Sequence, residues 1–169
     1  MTINYEKLIN WSFEETRQKI TAKDLILYSL GVGLGENPTD RNELRFVYEK
    51  ELVALPSMAT VLGYPGNWLR NPDTGVNYLK LVNAGNSFKI HKAIPKEGTL
   101  VGQARVESII DKGEGRGALI TSTRDVVHAE ADELICTVRA STYCRADGGF
   151  GGPSGPIKAP QVIPNRNPD

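Results

Sequence analysis

Two histidines, two cysteines and several glycine-rich turns are the residues on which chemistry could rest. His91 sits on the polar parity of a strand-like stretch. His128 closes another, with Asp125 three residues before it. Positions three apart on a strand point to opposite faces, so His128 and Asp125 do not make a natural acid–base pair. Nucleophilic catalysis needs a serine or cysteine on a sharp turn beside its base, and no such turn stands out. Both histidines are therefore expected at the surface. Cys136 and Cys144 share a strand parity but lie too far apart along the strand to bridge, so two reduced, buried thiols are expected. The cysteines and histidines do not stand at ligand spacing, and no metal site is expected. Gly31-Val-Gly33-Leu-Gly35 looks like a phosphate loop only superficially, because it ends a helix instead of opening one after a strand. Gly148-Gly-Phe-Gly-Gly152 does follow a strand, but prolines come next and no helix does.

What remains is an apolar group. Met58, Tyr64 and Trp68 cluster around a short apolar stretch, Leu55 to Gly63, and its exit loop. They are either plain core or the lining of an apolar slot beside a helix too short to fill its sheet. Such a slot would suit an acyl chain.

The elements that must position this group read as follows. Residues 1–20 are a polar lead-in, expected as an extended segment pinned by Tyr5, Trp11 and Phe13. Thr21 and Asp24 form a capping box that opens a helix over about 22–32, with Leu25, Ile26, Ser29 and Leu30 on its buried face. Leu44 to Tyr48 is a short strand candidate. Pro56 suits a first helical turn, and Leu55 to Gly63 is apolar almost all round, which predicts a short buried helix. Residues 64–75 are loop chemistry. The period then switches to two. Phe88 and Ile90 alternate with Lys89 and His91. Leu100, Ala104, Val106 and Ile110 share one parity, and Leu134, Cys136, Val138, Ala140 and Thr142 share another. A third strand lies within 116–128. Turns fall at 112–117 and 129–132. The chain is thus an α+β domain: a short helix against an antiparallel meander of about four long strands. A curved antiparallel sheet wrapped around a short central helix is the hot-dog arrangement. Its open edge predicts pairing with another such domain. The domain is expected over 1–147, followed by a Gly/Pro-rich linker or tail over 148–169.

Composition narrows the partners. Twenty basic and twenty acidic side chains cancel, which leaves no basic footprint for nucleic acid. No apolar run approaches the roughly 20 residues of a membrane helix, and Met1 to Trp11 lacks the apolar core of a signal peptide. The expected compartment is the cytoplasm.

A set of motifs stands in a familiar order: Tyr5–Leu8, Leu27–Gly35, Leu44–Glu49, Leu55–Ala59, Val61–Gly66, Asp111–Gly115, Gly148–Gly152 and Ile163–Arg166. Together they closely resemble the N-terminal half of the MaoC-like, hydratase-2 type enoyl-CoA hydratases. Such proteins carry two hot-dog repeats. The resemblance implies reversible addition of water to a trans-2-enoyl-CoA, giving the (R)-3-hydroxyacyl-CoA, with the CoA thioester as substrate and no other cofactor. The family's catalytic signature, Asp-x-Asn-Pro-x-His, belongs to the second repeat and is absent from this sequence. No catalytic residue is carried over. The first repeat's role implies an acyl-tail pocket at Met58, Leu62, Tyr64 and Trp68. Gly149, Phe150 and Gly151 read first as a flexible hinge between repeats; the alternative is a CoA-proximal loop, whose glycines would let the backbone approach a ligand closely. Where relatives show Leu-His-Gly-Glu-Gln, this chain has Val82-Asn-Ala-Gly-Asn86, so any role of that His or Glu is lost. The expected function is a non-catalytic, acyl-CoA-binding half that needs a second repeat. The alternatives are a structural or acyl-CoA-binding module without turnover, and a stand-alone hot-dog thioesterase.

Overall fold

In the computed structural model, residues 2–155 together with 165 and 166 are described. The apolar stripes of the long strands line one face of a five-stranded antiparallel sheet. Its strands are β1 (Thr16–Ile20), β2 (Leu81–Ile90), β3 (Gly98–Asp111), β4 (Ala118–His128) and β5 (Glu133–Cys144). Their spatial order is β1-β3-β4-β5-β2, so β1 and β2 are the edges. Three helices complete the frame: α1 (Tyr5–Ile9), α2 (Ala22–Gly31) and α3 (Arg41–Val47). The Pro56–Val61 stretch winds as a short 3-10 helix on the sheet. This is the hot-dog arrangement expected from the sequence.

Several local expectations change. The lead-in is not simply extended. Asn4 accepts the Lys7 N–H and caps α1, and Thr16–Ile20 pairs with β3. The three aromatics do pack on the body. The Thr21–Asp24 box forms as expected, with the Asp24 carboxylate accepting both the N–H (2.8 Å) and the hydroxyl (2.7 Å) of Thr21. Leu25 and Ser29 of α2 are buried, but Leu30 is half exposed. Leu44–Tyr48 is not a strand. Asp40 accepts the Asn42 N–H and starts α3 there, whose short turn buries none of its residues. The Pro56–Val61 helix is one-sided: Met58 and Ala59 are buried while Val61 is half exposed.

The strand parities hold until a bulge intervenes. A register shift between Val106 and Ser108 turns Ile109 inward and leaves Ile110 only partly buried. A second shift, at Val126/Val127, buries Ile135 and exposes Leu134. An inserted residue flips every side chain beyond it to the other face.

Two apolar clusters result. One joins Ile20, Leu25, Met58, Ala59, Leu62, Val126, Cys136 and Val138. The other joins Ile3, Leu8, Leu69, Val76, Val106, Ile109, Ile120 and Cys144, with Trp11, Phe13, Trp68 and Phe150 packed against it. A fully buried side chain of this kind contributes about 1.5–3 kcal/mol. One thiol sits in each cluster, and both are free, as expected. Burial pushes Cys136 up to about 11 and Cys144 up to about 12, so neither is a nucleophile at neutral pH.

The glycine-rich run after β5 is tied to the body. Asp111, buried at the end of β3, accepts N–H groups from Gly113 (2.8 Å), Gly149 (2.7 Å) and Gly151 (2.9 Å). The Asp111 N–H in turn donates to the Pro153 carbonyl at 2.9 Å. The linker expected from 148 is therefore anchored over its first residues. Its Pro-rich end, residues 160–169, lies outside the described residues apart from Asn165 and Arg166.

Candidate functional site

Along the inner face of β4, Ala118 and Ile120 belong to one cluster and Val126 to the other. Between them stand Ser122 and Arg124, two polar residues in an otherwise apolar stripe. They lie opposite Ala140 and Val138 of β5. Both line the floor of a cleft of about 380 Å³, completed by Thr142 and walled by Tyr64, Trp68 and Tyr78.

The wall is held by close backbone contact on one side and by aromatics on the other. Gly63 has φ +55°, and a Cβ there would meet the Gly102 Cα at 2.8 Å. A Cβ on Gly102 would meet the Gly63 carbonyl oxygen at 2.2 Å. Only glycine at both positions lets the helix exit touch β3. The Gly63 N–H donates to Gln18 Oε1 of β1 at 2.8 Å. Further along, Trp68 is clamped by Phe13, edge-on at 4.9 Å between ring centroids, and by Trp11 at 5.9 Å. The aromatic anchors of the N-terminus thus hold the cleft wall. The Tyr64 hydroxyl donates to Asn67 Oδ1 at 3.1 Å.

Arg124 is the unexpected member. It is 6% exposed. Its Nη2 donates to the carbonyls of Thr60 (3.0 Å) and Ala59 (3.4 Å), at the end of the 3-10 helix. Its guanidinium lies over the Tyr64 ring, 5.7 Å from the centroid. Its Nε is buried with no hydrogen-bond partner, and no carboxylate pairs with it among the described residues. Burial pulls its pKa down from the usual arginine value, yet a guanidinium keeps its charge. A buried ion without a counter-ion costs several kcal/mol. Arg70 also lines the cleft, over the Tyr78 ring at 5.5 Å. No aspartate, glutamate, histidine or cysteine is among the lining residues.

The cleft takes in two of the four residues expected at the acyl pocket. Tyr64 and Trp68 line it, whereas Met58 and Leu62 lie beneath in the core. Gly149, Phe150 and Gly151 are elsewhere. Two of their N–H groups are engaged by Asp111, and Phe150 packs on the second cluster. Sequence reading passed over Arg124, Ser122 and Thr142. The signal for the first two was the polar break in the stripe of β4. The histidines are remote. Arg124 and Asp125 are successive on β4 and so face opposite sides. On the outer side, exposed His91 bonds Thr137 Oγ1 (3.0 Å), which donates to Asp125 (2.7 Å), itself paired with Arg105 (2.8 Å). His128 contacts Glu130 at 3.2 Å. Among the described residues no group of three or more His, Cys, Asp or Glu is placed to hold a metal, and no helix is long and apolar enough to cross a membrane. Asn83 and Gly85, within the altered stretch, are exposed on edge strand β2 opposite Thr142 and Ser141.

The sheet order and helix placement define a class, the hot-dog domains. A MaoC-like dehydratase from Phytophthora capsici superposes with a TM-score of 0.75 at 23% identity, over 99% of this chain and 58% of that one. A chain of the ChsH1-ChsH2 complex from Mycobacterium tuberculosis superposes with a TM-score of 0.57 at 14% identity, over 84% of this chain and 87% of that one. The family follows from the sequence match: residues 19–146 fit the MFE-2 hydratase 2 N-terminal domain, and the chain belongs to that family. The peroxisomal multifunctional enzyme type 2 of Mus musculus is 33% identical over 153 residues, which is 85% of this chain and 20% of the mouse protein. The chain thus spans only part of the longer proteins it matches.

Proposed function

We propose that this chain is the acyl-binding half of an (R)-specific 2-enoyl-CoA hydratase or 3-hydroxyacyl-CoA dehydratase, completed by a second hot-dog domain that carries the Asp-x-Asn-Pro-x-His site. The observation that carries this reading is the aromatic-walled cleft left open between the two cores, in a chain of the hydratase 2 N-terminal family. A short 3-10 helix where the sheet could hold a longer one leaves that space. Its volume falls in the range of small-ligand sites.

Hydration of an enoyl thioester needs a base and an acid on one water, within about 3 Å of it. The cleft supplies shape, aromatic surface and positive charge, and the proposed division of labour assigns proton transfer to the second domain. Edge strand β2 favours such pairing. Its outer edge pairs with no strand among the described residues, and Val82 and Phe88 on it are 39% and 41% exposed. Docking there would set the two domains side by side next to the cleft, since Leu81 of β2 lines it.

The reading is tested by mixing. The purified chain alone should not hydrate a medium-chain trans-2-enoyl-CoA. Addition of a hot-dog chain bearing Asp-x-Asn-Pro-x-His should give activity above that of the added chain alone. Activity that never rises with any such partner would contradict the proposal.

A further inference from the structure

The cleft carries two arginines, one of them buried, and no acid lines it among the described residues. Arg105 and Arg139, on the neighbouring strands, each have a carboxylate at 2.8 and 2.7 Å. Arg124 has two carbonyls and an aromatic face but no carboxylate among the described residues; its buried Nε–H, like that of Arg139, has no partner there. Bonding to the two carbonyls uses a single nitrogen, Nη2, and satisfies the end of the 3-10 helix. That role needs no Nε and supplies no negative charge. A plain alkyl tail would leave the cation uncompensated and would strip more water from it, since burial penalises an unpaired charge most. A carboxylate at the cleft floor would instead compensate the charge and accept a charge-assisted hydrogen bond from the guanidinium N–H groups that the two carbonyls leave free. Ser122 and Thr142 add hydroxyls to the same floor, and Tyr64 and Trp68 add the apolar wall an aliphatic chain would lie along.

We infer that the cleft selects acyl chains bearing a carboxylate at their far end, and that Arg124 is the residue that receives it. This rests on the reading of the cleft as an acyl pocket. A second source of the same chemistry is an aspartate or glutamate from the partner domain, and the test separates the two.

The test is isothermal titration of the purified chain with two trans-2-enoyl-CoAs of equal length, one methyl-ended and one ω-carboxylated, for the native sequence, Arg124→Met and Arg124→Lys. The native chain should bind the ω-carboxylated ligand roughly 10- to 100-fold more tightly, as a charge-assisted hydrogen-bonded pair implies. Arg124→Met should bring the two affinities to within about twofold of each other, whatever it does to the methyl-ended ligand, and Arg124→Lys should keep part of the preference. A merely structural arginine would weaken both ligands together. Equal affinities in the native chain would overturn the inference while the acyl pocket stands, and that comparison needs no variant to fold. Binding of neither ligand would overturn both. Loss of association with the catalytic domain in Arg124→Met, with ligand preference unchanged, would assign the anion to the partner and also overturn the inference.

Discussion

Asp111 shows most clearly how one side chain shapes this chain. Burial works against its ionisation, but the N–H groups of Gly149, Gly113 and Gly151 outweigh that and hold its pKa below the usual aspartate value. A carboxylate whose folded pKa is depressed contributes stability above its unfolded pKa of about 3.9. That contribution is lost as pH falls through the folded value. Asp111→Asn should therefore lower stability at neutral pH by about 1.5–3 kcal/mol, the scale of hydrogen bonds to a charged acceptor. In denaturant titrations from pH 8 downward, the gap between native and variant chains should stay constant to about pH 5 and narrow below about pH 4. A gap that widens in acid would contradict the assignment. The Asp111–Gly115 and Gly148–Gly152 motifs were both legible in the sequence. Their mutual contact was not, because a hydrogen bond across 38 residues leaves no local pattern. Arg124 was hidden for a related reason. A lone arginine in a strand reads as solvent-facing until the two cores beside it are known.

Among the elements, the most legible were those with a strong local rule. The capping box marked the start of α2, and alternation located β3, β5 and the end of β2, whereas β4 was less cleanly patterned. The failures have physical causes. Leu44, Phe46 and Tyr48 alternate with period two, but the Asp40 cap made a short helix of them. The first half of β2 carries Asn83, Gly85 and Asn86, poor strand formers, and it is held by pairing with β5 instead of by propensity. The bulges moved Ile109 and Ile135 inward, and no sequence rule announces a bulge. The element junction that matters most for the cleft is Gly63 against Gly102. Because a methyl on Gly102 would stand 2.2 Å from a backbone oxygen, Gly102→Ala must push the helix exit off β3. Thermal and urea unfolding should show a loss of about 1–3 kcal/mol, as for other overpacked sites. Ligand affinity should fall as well, because Tyr64 follows directly. Unchanged stability and affinity would mean that the junction does not set the cleft.

For the whole molecule, the proposed reaction is divided between two domains. This chain contributes a sheet, two cores and the cleft between them, and among the described residues no strand pairs with the outer edge of β2. Its histidines lie away from the cleft, on the outer face and at a strand end. The resemblance in the sequence supplied the family and the fold. Of the four residues it implied for an acyl pocket, Tyr64 and Trp68 line the cleft and Met58 and Leu62 are in the core. The claim that this half holds the acyl chain is tested most directly by thermal unfolding of the purified chain with a medium-chain trans-2-enoyl-CoA, with free CoA as control. A ligand bound only by the folded form adds about 2.7 kcal/mol at 100 times its dissociation constant. The account predicts a clear rise in melting temperature with the enoyl-CoA and a smaller one, or none, with CoA. Equal shifts with both ligands, or no shift with either, would contradict it.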